Sequence, residues 1–199
     1  MEMIHRESDS QLKAEVHRAA GEAVLAVPFD RSYWVVPGKF LAGAFPGDHV
    51  PEYAAEKLNP FLQAGIRCFV DLTAPRECNL LGQPLVSYRD TLDRISEKIK
   101  IIYRNMPVVD MEVPSHEEMR EILDFIDGAM LSSLPVYAHC LGGLGRTGTV
   151  VGCWLIRHGI EDRHGVIELI GRLRRNEVHA GIPSPQTAEQ RRFVLEWKE

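Results

Sequence analysis

The stretch VYAHCLGGLGRTGTVVGCWLI, Val136 to Ile156, constrains the fold of this chain more than any other. An apolar run of strand length enters a turn with three glycines between Cys140 and Arg146, then continues as an apolar helical stretch. A strand that is apolar on both faces and passes at once into a helix belongs in a parallel sheet, because helices must cover both of its sides. The rest of the chain repeats this alternation. Tyr33 to Val36 and Lys39 to Ala42 read as strands joined by the Pro37-Gly38 turn, and Ile66 to Leu72, Ile101 to Arg104 and Pro135 to His139 read as three more. Helices are expected over Pro51 to Ala64, stopped by Gly65, over Thr91 to Ile99, Thr147 to His158 and Gly165 to Arg175. Ser115 and Glu118 have capping-box spacing ahead of a helix that runs to about Met130, with Met119, Ile122, Leu123, Ile126 and Met130 on one stripe. A last helix is expected with Ser184 as its cap and Pro185 at its first position. Ala74 to Pro84 is turn-rich and reads as irregular.

The pattern predicts an α/β fold, a central and mostly parallel sheet flanked by helices. In such sheets ligands bind beyond the carboxyl ends of the strands, which is where Cys140 falls. Leu12, Val16, Ala19, Ala20, Ala23 and Val24 form a weak apolar face that predicts a further helix from about Ser10 to Ala26. Residues 1–30 are therefore read as an N-terminal helical extension and 31–199 as the main domain.

With 199 residues, 45% of them hydrophobic, the chain is long enough for one sizeable core. The net charge of −5 argues against nucleic-acid binding. No apolar run reaches membrane-spanning length, and the N-terminus lacks the apolar core of a secretory signal. Cys68, Cys78, Cys140 and Cys153 are expected to be free thiols of a cytoplasmic protein. No CxxC, HExxH or paired histidine spacing appears, so neither metal nor cofactor is expected.

The glycine-rich turn points to phosphate chemistry. Such a loop before a helix turns several N–H groups into one concavity, which the helix dipole makes more positive. Gly142, Gly143 and Gly145 can adopt the backbone angles this needs, and the planar fork of Arg146 can hold two phosphoryl oxygens at once. The same field favours the thiolate of Cys140, the form that attacks. Cys68 and Cys153 have no such setting and read as small buried hydrophobes.

HCLGGLGRTG, His139 to Gly148, resembles the H-C-x5-R-[ST] signature of the cysteine-dependent protein tyrosine phosphatase superfamily, and its dual-specificity branch in particular. The likeness extends over most of Tyr33 to Trp197 and implies a phosphotyrosine-phosphatase-like form of the α/β fold. It implies that Cys140 attacks phosphorus and carries a phosphocysteine, that Arg146 binds the phosphoryl oxygens, and that the Thr147 hydroxyl hydrogen-bonds the sulfur and helps it leave. It implies a bowl lined by the amides of Leu141, Gly142, Gly143, Leu144, Gly145 and Arg146, and a His139 that holds the loop and tunes the thiol without touching substrate.

A leaving group needs a proton donor from another loop. In MPVVDMEVPS, the resemblance assigns that role to Asp110, thirty residues before Cys140, with Glu112 as rival. PQTAEQ resembles a Q-T-x-x-Q segment in which Gln186 would place the hydrolytic water and Gln190 matches the second glutamine; two polar residues on a solvated helix is the other reading. Glu77 reads equally as a partner that orients Arg146 or as one side of a salt bridge to Arg76 or Arg89, and Asp71 has similar standing. Lys39, Tyr53 and Arg89 are further candidates to border the cleft.

Leu141 and Leu144 stand where phosphoinositide-directed relatives carry basic residues. The expected partner is therefore a phosphorylated protein or peptide, phosphotyrosine first, with phosphoserine or phosphothreonine next. The rival readings are a phosphoprotein-binding module without turnover, a phosphatase of a non-protein phosphomonoester such as a phosphoinositide, and a rhodanese-like sulfurtransferase. The last lacks an R-T-G continuation. Regulation by oxidation, with Cys78 or Cys153 resolving, is a further possibility within the phosphatase reading.

Overall fold

The computed structural model describes residues 2–21, 26–79, 81–97 and 99–199. Its elements in chain order are α1 (Glu2–Gly21), β1 (Ser32–Val36), β2 (Phe40–Ala44), α2 (Pro51–Gln63), β3 (Cys68–Asp71), α3 (Arg89–Ser96), β4 (Ile102–Asn105), α4 (His116–Leu131), β5 (Val136–Cys140), α5 (Gly145–Arg157), α6 (Val166–Leu173) and α7 (Ala188–Glu196). The sheet order is β1-β2-β5-β3-β4, with β1 antiparallel to β2 and the other neighbours parallel. This is the mostly parallel sheet that the alternation predicts.

The period of two along each strand divides the core between the two faces. Phe40, Ala42, Cys68, Val70, Val136 and Ala138 point to one side and pack with Met119, Ile122 and Ile126 of α4, Val150, Val151 and Trp154 of α5, and Val166 and Ile170 of α6. Leu41, Phe69 and Tyr137 point to the other side and pack with Leu58 and Phe61 of α2 and Leu92 of α3. β5 lies in the middle, its neighbours β2 and β3 on either side, so Cys140 emerges at the centre of the sheet edge.

Local signals account for most boundaries. Gly65, at φ 88, follows the end of α2. In the capping box of α4 the Ser115 amide donates to Glu118 Oε2 at 2.8 Å and the Glu118 amide to Ser115 Oγ at 3.2 Å. The last helix departs from expectation. It begins at Ala188 behind a Thr187 cap that forms its own capping box with Gln190, so Ser184 is not its cap. Ser184 and Pro185 instead precede the helix and are buried against α5.

α1 starts earlier than its apolar face suggests, at Glu2, and ends at Gly21. Val16, Ala19 and Ala20 are buried in the same core as β1 and α6, while Ala23 and Val24 lie outside the described residues. Lys39 pairs with Glu15 at 2.9 Å, and the Arg175 guanidinium donates to the Ala19 carbonyl at 3.0 Å.

His158 ties α1 to the helices beneath it. Its Nδ1 lies 3.2 Å from Asp9 Oδ1, its Nε2 3.0 Å from Asp127 Oδ1, and its ring 4.5 Å from that of Trp154. Burial opposes the imidazolium, but hydrogen bonds and charge from Asp127 and Asp9 outweigh it and raise the pKa above the ordinary value. A raised folded-state pKa stabilises fully below the unfolded value of about 6.5, and the contribution fades as pH rises through the folded value. His158→Gln is therefore expected to lower Tm more at about pH 5.5 than at about pH 8.5. Equal losses in thermal melts at the two pH values would contradict this.

Candidate active site

β5 delivers Cys140, 2% exposed, to the mouth of a loop formed by residues 141–144. The loop's carbonyls are drawn outward. Leu141 O accepts from the Phe45 amide at 3.1 Å, Gly142 O from Arg31 Nη2 at 3.4 Å, and Leu144 O from Ser184 Oγ at 2.8 Å. In a trans peptide the N–H points opposite to the carbonyl, so each outward carbonyl turns the next amide inward. The Gly143 amide accordingly donates to Cys140 Sγ at 3.3 Å. Among the described residues, the amides of Leu141, Gly142 and Leu144 find no protein acceptor. The result is a nest of donors around a sulfur at the N-terminus of α5.

Gly143 has φ +75, and a Cβ there would stand 2.6 Å from Gly43 C and 2.7 Å from Ala44 N, backbone atoms of β2. A Cβ on Gly142 would meet nothing nearer than 3.9 Å. Gly143→Ala is expected to lose about 1–2 kcal/mol to the left-handed conformation alone, with the backbone clash added. Gly142→Ala should cost under about 1 kcal/mol. Chemical denaturation compares the two, and equal losses would contradict the loop geometry.

Arg146 is 1% exposed at its side chain and is gripped by Glu77, with Nη1 to Oε2 at 2.7 Å and Nη2 to Oε1 at 2.6 Å. Nη1 also donates to the carbonyls of Leu72 at 3.3 Å and Val108 at 3.1 Å. Burial works against the guanidinium charge, but the Glu77 hydrogen bonds and the charges of Cys140, Glu77 and Asp110 raise its pKa still further above the ordinary value. Its Nε is buried and finds no partner among the described residues. An uncompensated buried donor is costly, and here it lies on the arginine nearest the sulfur in sequence. Glu77 thus orients Arg146. Arg89 lies instead 3.9 Å from Asp93, and Arg76 is exposed with φ 65. Asp71 takes no part in holding Arg146, because its Oδ1 accepts from the Thr73 amide and hydroxyl and its Oδ2 from Tyr103.

Asp110 reaches the arginine from the loop after β4. Its Oδ1 is 2.8 Å from Arg146 Nη2, and its side chain is 55% exposed. Met111 follows in the left-handed region at φ 66, which separates the directions of Asp110 and Glu112. Glu112 is exposed and contributes its backbone carbonyl, to Gln190 Nε2 at 3.1 Å.

The Thr147 hydroxyl accepts from the Cys140 amide at 2.9 Å and donates to the Gly43 carbonyl at 3.2 Å. In this structure it pins the Cys140 backbone to β2, and its proton goes to the Gly43 carbonyl rather than to the sulfur. His139 is fully buried on the opposite face of β5. Its Nε2 meets Tyr88 OH and its Nδ1 lies 3.4 Å from Cys140 O, and burial lowers its pKa despite nearby Asp71, so the ring is neutral near pH 7. It stays clear of the bowl.

Gln186 is exposed, while Gln190 is fully buried between the loops. Lys39 lies at the other end of β2, paired with Glu15, and so does not border the cleft. Arg89 does: with Phe45, Asp71, Glu77 and Tyr103 it lines a cleft of about 360 Å³ beside the bowl. Cys68 and Cys153 are buried, and burial pushes the Cys68 thiol up to about 12 and that of Cys153 well above its usual value, as inert thiols require. Sequence reasoning missed the contributions of Arg31, Gly43 and Ser184.

Residues 47–160 match the family model described as "Polymorphic toxin system, DSP-PTPase phosphatase", which covers more than half of the chain. Among curated proteins, the chain is 34% identical over 100 residues to the uncharacterized protein MJECL20 of Methanocaldococcus jannaschii, covering 50% of this chain and 60% of that one. It is 27% identical over 133 residues to the human dual specificity protein phosphatase CDC14A, covering 63% of this chain and 19% of that one. The chain thus spans less than two thirds of the length of either relative. The crystal structure of Tk-PTP in the active form superposes with a TM-score of 0.60 at 23% identity, covering 83% of this chain and 95% of that one, a likeness of fold.

Proposed function

The chain belongs to the polymorphic toxin system DSP-PTPase phosphatase family, and we propose that it hydrolyses phosphomonoesters, protein phosphotyrosine foremost, through a phosphocysteine intermediate. The observation that carries this reading is a buried Arg146, gripped by Glu77 and with an Nε that finds no partner among the described residues, at the start of the helix that follows a loop whose Gly143 amide donates to the Cys140 sulfur. That donor set matches a phosphoryl group's equatorial oxygens.

In the first step the Cys140 thiolate forms the S–P bond as the P–O bond to the leaving group breaks. Arg146 and the loop amides stabilise the equatorial charge, and Asp110 gives its proton to the departing oxygen. Asp110 occupies Arg146 Nη2 in the free protein at 2.8 Å; a phosphoryl oxygen takes that position when substrate binds, and the released carboxylate takes up a proton from solvent before it meets the leaving group. In the second step Asp110 takes a proton from water, the new O–P bond forms, and the S–P bond breaks to release inorganic phosphate and the thiolate. Gln186, exposed on the segment that braces the bowl, is proposed to place that water. Thr147 holds Cys140 in place for both steps. We assign the catalytic unit to residues 31–199 and regard 1–30 as a helical extension packed on it.

The apolar side chains of Leu141 and Leu144 add no positive charge to the bowl, which favours a single phosphoryl group on a protein side chain over a polyphosphorylated headgroup. The test is turnover of an aryl phosphate in chelator, followed by phosphotyrosine, phosphoserine and phosphoinositide substrates. Turnover that survives chelation, with the highest kcat/KM for phosphotyrosine peptides, is expected. Activity lost to chelator and restored by added metal would overturn the mechanism, and silence towards every phosphomonoester would leave a binding module.

A further inference from the structure

We infer that the segment from Ser184 to Gln190 is a bracket that registers the acid loop against the phosphate loop, with Ser184 and Gln190 as positioning residues; this rests on the phosphatase reading above. Ser184 is 6% exposed, and its hydroxyl donates to Leu144 O at 2.8 Å. It sits in a notch left by Gly148, where a Cβ would come within 2.2 Å of Ser184 Oγ. The same carbonyl accepts from the Gly148 amide at 3.2 Å in the first turn of α5, so the Ser184 hydroxyl reinforces a direction that the helix also sets; with the peptide trans, the Gly145 N–H faces the opposite way, towards the bowl. Ser184 therefore acts on oxyanion binding, common to all substrates.

Gln190 acts on the other loop. It is fully buried, and its carboxamide lies 2.8 Å (Oε1) and 2.9 Å (Nε2) from where a Gly145 Cβ would stand, so it packs on the phosphate loop. Its Oε1 accepts from the Thr187 amide at 3.0 Å, which completes the α7 capping box. Its Nε2 donates to Glu112 O at 3.1 Å, two residues beyond Asp110. A cap needs the oxygen alone. The nitrogen is a latch on the loop that carries the acid, and it supplements the Arg146 bond to Val108 O.

The two halves of the side chain can be separated. Glutamate is the usual capping-box residue and serves α4 of this protein at Glu118. Gln190→Glu keeps the acceptor for Thr187 and removes the donor to Glu112, and the buried negative charge it adds beside the phosphate loop weighs on both esters alike, so the acid-loop effect is read from the difference between them. It is expected to lower kcat about threefold with p-nitrophenyl phosphate, a good leaving group, and about thirtyfold with phenyl phosphate, a poor one that needs the acid. Ser184→Ala is expected to weaken binding of inorganic phosphate about tenfold by calorimetry and to lower kcat/KM equally for both esters. A thermal melt accompanies each variant. Equal losses for the two esters in Gln190→Glu, or unchanged phosphate affinity in Ser184→Ala, would overturn the bracket. A wild type that turns over neither ester refutes the phosphatase reading instead, and the phosphate titration of Ser184→Ala still decides whether the hydroxyl shapes the bowl.

Discussion

Replacing Cys140 by serine is expected to lower kcat by about 10⁴-fold or more, with phosphate binding largely retained. The reason lies in the nucleophile that each side chain can supply. A serine hydroxyl stays protonated, and no base stands over Cys140: His139 is on the far face of β5, engaged with Tyr88 and Cys140 O. Among the described residues, the sulfur is met by the Gly143 amide, a donor that stabilises an anion and cannot remove a proton. The oxyanion donors, Arg146 Nε and the inward amides, do not depend on the sulfur, so calorimetry with inorganic phosphate should give a Kd within a few-fold of wild type. A serine variant that retained more than about one percent of wild-type kcat would remove the nucleophile from position 140.

The second large effect belongs to Arg146. Arg146→Lys keeps one positive charge but loses the planar fork that grips Glu77 with two nitrogens, and loses the Nε donor with it. The expected loss in kcat is about 10²–10³-fold. Stability should fall as well, by up to about 3–5 kcal/mol, because the Glu77 side chain, 8% exposed, is left with an imperfect partner. The same change disturbs the acid loop, which Arg146 holds through Val108 O and Asp110. Glu77→Gln serves as the control. It relaxes the grip on the guanidinium without removing any donor from the bowl, and its kcat should fall far less. Urea denaturation and steady-state kinetics on both variants check the pair. A lysine variant within about tenfold of wild-type kcat would mean that Arg146 serves the fold alone.

What could be read in advance follows the distance between partners along the chain. Cys140, the glycines and Arg146 fall within seven consecutive residues, so their geometry is set by one strand, one turn and one helix start. The period of two in the strands and the capping box at Ser115 are equally local, and both appear in the structure. Glu77 and Arg146 are 69 residues apart, and three arginines competed for that carboxylate until the fold chose one. Arg31 reaches Gly142 across 111 residues with no signature at all. Ser184 illustrates how a local signal misleads. Ser-Pro ahead of a helical stretch looks like a cap and first position, yet Thr187 and Gln190 supply a better box three residues on. That leaves the Ser184 hydroxyl for Leu144 O, 40 residues away. Thr147 differs from expectation for a similar reason, since the Gly43 carbonyl takes the one proton its hydroxyl has to donate.

The most direct test is to catch the intermediate. Wild-type protein mixed with an aryl phosphate in chelator, quenched in acid within the first turnover and mapped by mass spectrometry, should carry one phosphoryl group on Cys140 and none on Cys68, Cys78 or Cys153. The adduct should be absent from Cys140→Ser. Hydrolysis that proceeds with no phosphorylated cysteine at any time in the burst, or with the phosphoryl group on another residue, would contradict the phosphocysteine mechanism.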